Sequence, residues 1–248
     1  MKATVTSPSN IAFIKYWGAR DLEQIVPENP SLSMTLGACT SRTTVEYLED
    51  GGSHDVRWRS SGGAALETPP PAFSERVVAH LDRLKTWAGV DGRFRMATEN
   101  TFPAAAGIAS SASGFSALTL AVLAALGREA SDEMRSRLAR RSGSGSASRS
   151  VLGGYVRWPA AGLPGDAGNF AQQVAPAAHW DLRDVIALAA TQAKGVSSLD
   201  GHRRARTSPH FARRLELLPD RYATVEKALL DRDFDTFGAA MEAEAIEL

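Results

Sequence analysis

The amino-acid sequence predicts an α+β fold, and three observations lead to it. Short strand-like stretches fill residues 1–59, amphipathic helix fills most of the chain from Ser208 onward, and between them a strand, a small-residue loop and an apolar helix succeed one another. Candidate strands lie at Ala3–Thr6, Ile11–Tyr16, Ser31–Leu36, Thr43–Leu48 and Val56–Arg59, punctuated by glycine, proline and asparagine. A turn-rich stretch, Ser60–Pro71, leads into a helix on which Val77, Val78, Leu81, Leu84 and Trp87 share a face, with Ser74 as its expected cap and Gly89 near its end. Arg93–Thr98 reads as a strand, and the loop from Pro103 opens an apolar helix that ends near Gly127. A second serine-rich loop, Ser142–Ser148, precedes strands expected at Gly154–Trp158, Ala171–Val174 and Val185–Ala190. The closing helices carry Phe211, Leu215, Leu218, Tyr222, Val225 and Leu229, then Phe234, Phe237 and Met241, with a break at Asp231–Asp233.

Composition narrows the functional classes. Lysine plus arginine equals aspartate plus glutamate at 28 each, so no overall field draws nucleic acid or an anionic membrane, and any anion site must be built locally. Cys39 is the only cysteine, which excludes an intramolecular disulfide framework and a cysteine zinc site and fits a reducing, cytoplasmic setting. Met1–Pro8 lacks the apolar core of a signal peptide. The longest apolar stretch, Ala117–Leu126, is about half of the roughly 20 residues a membrane span needs. A soluble protein is expected.

The most informative segment is Asn100-Thr-Phe-Pro103-Ala-Ala-Ala-Gly107-Ile-Ala-Ser110-Ser111-Ala112-Ser113-Gly114, set between a strand and a helix. Small side chains let a polyphosphate approach the backbone, amides at a helix start point toward the anion, and serine hydroxyls add hydrogen bonds or a magnesium ligand. Composition alone fits a close-packed helix start equally well. The segment is neither a Walker loop nor a dinucleotide fingerprint, and no G-x-S-x-G nucleophile elbow occurs in the chain.

Pro-x-x-x-Gly-Ile-x-Ser-Ser-Ala resembles the phosphate-binding motif of the GHMP kinase superfamily. Three further blocks are similar, in order and spacing, to the mevalonate diphosphate decarboxylase family: Pro8-Ser-Asn10-Ile-Ala-Phe-Ile-Lys15-Tyr16-Trp17-Gly18, Ser142-Gly-Ser144-Gly-Ser146-Ala-Ser-Arg149-Ser150 and Val196-Ser197-Ser198. The resemblance implies a GHMP kinase-like two-lobed fold, with an amino-terminal ATP-binding domain over residues 1–180 and the start of a carboxyl-terminal domain over 181–248, the second lobe being incomplete. It implies ATP-dependent decarboxylation of mevalonate 5-diphosphate, with ATP and Mg²⁺ as cofactors and a phosphorylated mevalonate as the small-molecule partner. A homodimer is compatible with the sequence; nucleic acid and membrane are not expected partners.

By the same resemblance Lys15, Arg149 and Ser111 are the catalytic candidates, and Asn10, Tyr16, Ser144, Ser146, Arg149, Ser197 and Ser198 contact substrate. Asn100, Pro103, Gly107, Ala109, Ser110, Ser111 and Ser113 serve ATP, and Ser110 and Ser111 also serve the metal. The planar guanidinium of Arg149 suits paired carboxylate or phosphate oxygens; the alternative is a surface arginine beside an acidic partner. For the serines the alternative is loop capping, and for Lys15 a solvated surface position.

Three departures from the family pattern stand out. Ala19 occupies the position of a lysine after Gly18, which brings mevalonate 5-phosphate forward as a second substrate. Gly201-His202-Arg203-Arg204 replaces a Gly-Met pair and brings cationic or proton-sharing side chains; Arg203, Arg204 and Arg206 read first as a solvated face, with partial replacement of the missing lysine as the alternative. The family's Asp-Ala-Gly segment, which carries its catalytic aspartate, is not found before Leu248, so the chain reads as cut short; the surroundings of Asp181, Asp184 and Asp200 match nothing in that segment. A mevalonate 3-kinase shares every block found. A non-catalytic nucleotide- or phosphate-binding protein is the alternative of another class, and RNA binding is disfavoured by neutral charge.

Overall fold

The computed structural model describes the chain apart from residues 61, 104–107, 160–167 and 188–197 and the side chains of 198 and 199. One long strand organises it. Strand β4 (Ser31–Leu48) pairs along almost its whole length with β1 (Lys2–Ile14), antiparallel; β2 (Ala19–Asp21) and β3 (Val26–Pro27) form a separate small hairpin. The other edge of β4 carries β6 (Arg93–Asn100) at its carboxyl end and β7 (Tyr155–Trp158) at its amino end. β5 (Asp55–Arg59) extends the sheet beyond β6, in parallel, and β8 (Gln172–Ala175) extends it beyond β7.

Two expected strands in each of the first two long strands are therefore one, because a bulge rather than a turn separates them. Register jumps between Pro8↔Thr40 and Ser9↔Leu36, leaving residues 37–39 unpaired. A bulge twists the strand and interrupts strict in–out alternation, and the consecutive residues Ser9 and Asn10 are both buried here.

Helices α1 (Pro71–Ala88) and α2 (Ser110–Ala125) cover one half of the sheet, where Val77, Leu81 and Leu84 meet Phe115, Leu118 and Val122 over Val45, Phe94 and Met96. The first of these helices starts earlier than the apolar pattern predicts: Pro70 precedes it and Pro71 opens it, a position where a missing N–H is harmless. Ser74 instead donates its hydroxyl to the Pro69 carbonyl. The helix ends as expected, with Gly89 in the left-handed conformation.

Helix α3 (Asp132–Arg140), capped by Ser131, and the single turn α4 (Ala147–Ser150) follow. Helix α5 (Ser198–Arg204) precedes the long pair α6 (Phe211–Asp231) and α7 (Phe234–Ile246). That pair packs Leu218, Val225, Leu229 and Phe237 against Phe13, Ile14, Leu32 and Tyr155 at the other half of the sheet. The strand expected at Val185–Ala190 is absent over 185–187, where Val185 is exposed, and its remainder lies outside the described residues. No described helix is long and apolar enough to cross a membrane.

Candidate active site

The bulge in β1 aims two neighbouring side chains at two different loops. Ser9 donates to the Ile108 carbonyl at 2.5 Å and lies 3.2 Å from that of Ala109. Ala109, just before α2, has φ +49, a left-handed conformation that costs an alanine about 1–2 kcal/mol. A buried serine thus pins the loop end in a conformation it would not choose alone.

Asn10 reaches the other way. Its Nδ2 donates to Ser150 Oγ at 2.8 Å and to the Ser146 carbonyl at 3.0 Å, and its Oδ1 accepts from Arg149 Nη2 at 3.0 Å. Arg149 also donates from Nη1 to Ser31 Oγ, while its Nε is buried with no partner among the described residues. Among the described residues no carboxylate pairs with this guanidinium, which is 2% exposed. Burial lowers its pKa to about 10, so it stays charged near neutral pH. A buried cation held only by neutral groups is expensive, and an anion arriving in its neighbourhood would offset that cost. The surface-arginine alternative does not describe this residue.

The two loops touch where Ser111 Oγ approaches Ser144 Oγ at 3.4 Å. Ser110, Ser111, Pro103 and Asn100 line one end of a cavity of about 460 Å³ whose other walls are mainly apolar, among them Trp58, Phe73 and Phe115. The start of α2 thus presents hydroxyls and small residues beside a slot able to take a flat apolar group. Ser113 lies elsewhere: fully buried, it bonds Ser41 Oγ at 2.7 Å, and Ser41 in turn donates to Asn100 Oδ1 at 2.6 Å. It ties α2 to β4 and β6 rather than opening to the cavity. Gly107 and Ser197 lie outside the described residues, as does the side chain of Ser198.

Tyr16 packs its ring edge-on against Trp158 at 4.9 Å and stacks on His202 at 4.0 Å; burial raises its pKa despite the nearby charges of Arg140 and Arg149. Gly145 is required in the serine-rich loop, since a Cβ there would lie 2.8 Å from both Tyr16 and Trp158. The Lys15 side chain is exposed. Ser146 is half-buried and enters the network described here through its carbonyl.

Arg203, Arg204 and Arg206 are exposed, as a solvated face requires. His202 is neutral, its pKa lowered to about 4 by burial, and its Nδ1 accepts from the Gly18 amide at 3.2 Å. Arg206 and Arg20 both pair with Glu28, and Arg203 pairs with Asp200. No cluster of three His, Cys, Asp or Glu side chains fit for a metal ion occurs among the described residues, so a divalent cation here would depend on phosphate oxygens for part of its ligand set.

This combination of a bulged long strand, a small-residue helix start and a serine loop on a mixed sheet places the chain in the GHMP kinase-like class of folds. The family model described as diphosphomevalonate decarboxylase-like N-terminal domain matches residues 7–168, and that of the mevalonate 5-diphosphate decarboxylase C-terminal domain matches 185–248. The chain belongs to the diphosphomevalonate decarboxylase family. It is 38% identical to the diphosphomevalonate decarboxylase of Aspergillus fumigatus over 95% of its own length and 61% of the relative's. With that of Candida albicans it shares 37% identity over 95% of its length and 67% of the relative's. The chain therefore spans about three fifths of the Aspergillus protein. A solved mevalonate diphosphate decarboxylase from Enterococcus faecalis superposes with a TM-score of 0.81 at 32% identity, covering 100% of this chain and 73% of that one. A structure described as a complex with MVAPP, AMPPCP and magnesium gives 0.83 at 33% identity, with the same coverage.

Proposed function

We propose that this chain carries the ATP cradle and the substrate-anion site of an ATP-dependent decarboxylation that converts mevalonate 5-diphosphate into isopentenyl diphosphate. The observation that carries the reading is Arg149, buried, charged and without a carboxylate partner among the described residues. In this reading residues 1–180 form the ATP-binding domain and 181–248 begin the second one, working in the cytoplasm, with a homodimer as the expected assembly.

ATP and Mg²⁺ fit the site: Ser110 and Ser111 stand at the start of α2 beside a largely apolar cavity, with Gly114 one turn on, where even an added Cβ would meet nothing closer than 4.0 Å. When bound, Mg-ATP supplies the phosphoryl group that turns the tertiary hydroxyl of mevalonate into a leaving group. The chain's own residues do the rest of the work assigned here. Arg149 holds substrate carboxylate or phosphate oxygens, Asn10 and Ser31 keep its fork oriented, and Ser144 and Ser146 contact the substrate from the serine-rich loop. Lys15 and Tyr16 serve the substrate from the end of β1, and Ser197 and Ser198 its phosphate tail.

A second substrate, mevalonate 5-phosphate, is favoured by one observation: Arg20, Arg203 and Arg206 are each engaged with a carboxylate, so that of these arginines and Arg204 only the last is without such a partner among the described residues. The test measures ADP release and carbon dioxide release separately with mevalonate, its 5-phosphate and its 5-diphosphate. Both products from the diphosphate identify the decarboxylase and ADP without carbon dioxide a 3-kinase; because the family's segment with the catalytic aspartate is not found within residues 1–248, binding of the diphosphate with Mg-ATP is the result required of this chain, and no binding overturns the reading.

A further inference from the structure

Residues 15–18, just past the end of β1, are held by Asn29 and Glu28 from nearby in the chain, by Trp158, and by Arg214 and His202 from its last third. The Lys15 carbonyl accepts two hydrogen bonds, from Arg214 Nη2 at 3.0 Å and from Asn29 Nδ2 at 2.9 Å. Asn29 Oδ1 accepts from Arg214 Nη1 at 3.2 Å and lies 3.4 Å from the Trp17 amide. Arg214 is 1% exposed and is neutralised by Glu244, whose second oxygen is taken by Arg221 at 3.1 Å. One turn of chain further on, the Gly18 amide donates to His202 Nδ1, which fixes the imidazole proton on Nε2, and the same ring stacks on Tyr16 and tilts against Trp17. A Cβ on Gly18 would strike Phe211 at 2.7 Å, and one on Gly201 would strike Trp17 at 2.7 Å.

A buried arginine on the apolar stripe of a helix is costly, and a carboxylate on the neighbouring helix meets that cost without reaching β1. Glu244 leaves Nη1 without an acceptor, and the reach to Asn29 and the Lys15 carbonyl supplies the remaining partners while tying that backbone to α6. Arg214 spends its planar fork on two aims at once: Glu244 takes one edge, and the backbone beside Lys15 takes the other. A lysine would satisfy Glu244 but not the Lys15 carbonyl and Asn29 together.

We infer that Arg214, with His202, is a positioning residue that sets Lys15 and Tyr16 for binding of the phosphorylated substrate, acting through the Lys15 carbonyl and the Gly18 amide. Neither residue touches the reacting atoms. The inference rests on the reading of Lys15 and Tyr16 as substrate-side groups, and the experiment separates its failure from failure of that reading.

The variants are Arg214→Lys, which keeps the charge, and His202→Phe, which keeps the aromatic stack but loses the acceptor; the second guards against the first failing to fold. Hydrogen exchange of the full chain is followed for peptides covering residues 13–20, with peptides from β6 and α2 as controls, and calorimetry measures mevalonate 5-phosphate and 5-diphosphate. In both variants exchange at residues 16–18 should rise by roughly tenfold or more while the controls keep native rates, as expected for loss of one or two local hydrogen bonds. Affinity for the phosphorylated ligand should fall by about tenfold in step. Native exchange at residues 16–18 in folded variants overturns the inference. So does faster exchange there with unchanged ligand affinity, since the brace would then be structural only. If the native protein binds neither ligand, the substrate-side reading falls and takes the inference with it, whatever the exchange shows.

Discussion

Arg149 and Asn10 are joined at 3.0 Å by a charged donor and a neutral acceptor, an arrangement that orients the guanidinium without neutralising it. The neutrality of Asn10 is what leaves the charge of Arg149 available. Replacing it with a carboxylate, Asn10→Asp, supplies an internal counter-ion at the same place. Binding of a phosphorylated mevalonate should then weaken by about tenfold or more, because a charge-assisted hydrogen bond contributes about 1.5–3 kcal/mol and the ligand must compete for it. Calorimetry on the variant checks this, and undiminished affinity would detach Asn10 from the anion site.

Ser9 holds the loop that ends at Ala109. Ser9→Ala removes one buried donor and leaves the Ile108 carbonyl, with the strained Ala109 beside it, without that anchor. Urea unfolding should show a loss of about 1–2 kcal/mol, and Mg-ATP protection against thermal unfolding should weaken together with it. A variant as stable as the native protein would show that the left-handed Ala109 is held by its other neighbours.

His80 predicts the pH response of stability. It is fully buried between α1 and α2; Thr119 donates to the Phe115 carbonyl and so must accept from His80 Nε2 at 2.9 Å, leaving the imidazole neutral with Nδ1 unpartnered among the described residues. Burial, with Arg83 nearby, lowers its pKa from 6.5 to about 3. The unfolded chain therefore binds one more proton than the native state between these values. Its stabilising contribution is complete above pH 6.5 and is lost as pH falls toward 3, with a slope of about 1.4 kcal/mol per pH unit. His80→Gln should flatten that part of the urea-midpoint profile; an unchanged slope would assign it to other groups.

Position 19 offers a test of the site's preference for ligand charge. Ala19 sits in the small hairpin beside Arg20, whose guanidinium is already engaged by Glu28. Ala19→Lys adds a cation with no acidic partner prescribed for it, and should shift preference toward the 5-diphosphate over the 5-phosphate by about tenfold. Calorimetry on both ligands with both proteins decides it. A native protein that strongly prefers the diphosphate, with no gain from the substitution, would show that other groups supply the charge.

Much of the architecture is legible in the sequence because it is local. The apolar stripe of α1, the glycine that ends it and the alternation of β6 depend on neighbours within one element. The bulge that fuses the first strands into β1 and β4 is not legible, because it is defined by register against a partner some thirty residues away. Helix α3 had a readable signal, Ser131 followed by Asp132 and Glu133, but its short apolar pattern is weak. In the site, Arg149, Asn10, Ser111 and Ser144 come together from segments whose motifs are visible in the chain. Ser9, Ser31, Asn29 and Arg214 are not legible as site residues, because their contacts depend on tertiary approach. Arg214 alone carried a hint, as a charged residue on the stripe of Phe211 and Leu218.

The central claim is that Arg149 is kept buried and uncompensated for an incoming anion. It is tested most directly by Arg149→Gln, comparing urea unfolding with calorimetric binding of mevalonate 5-diphosphate and 5-phosphate in native and variant proteins. A residue kept for binding at the expense of stability should leave a folded variant about as stable as the native protein, or more so, while ligand affinity falls by about a hundredfold. A variant that binds as the native protein does, or that loses several kcal/mol of stability as breaking a structural pair would, would contradict the account.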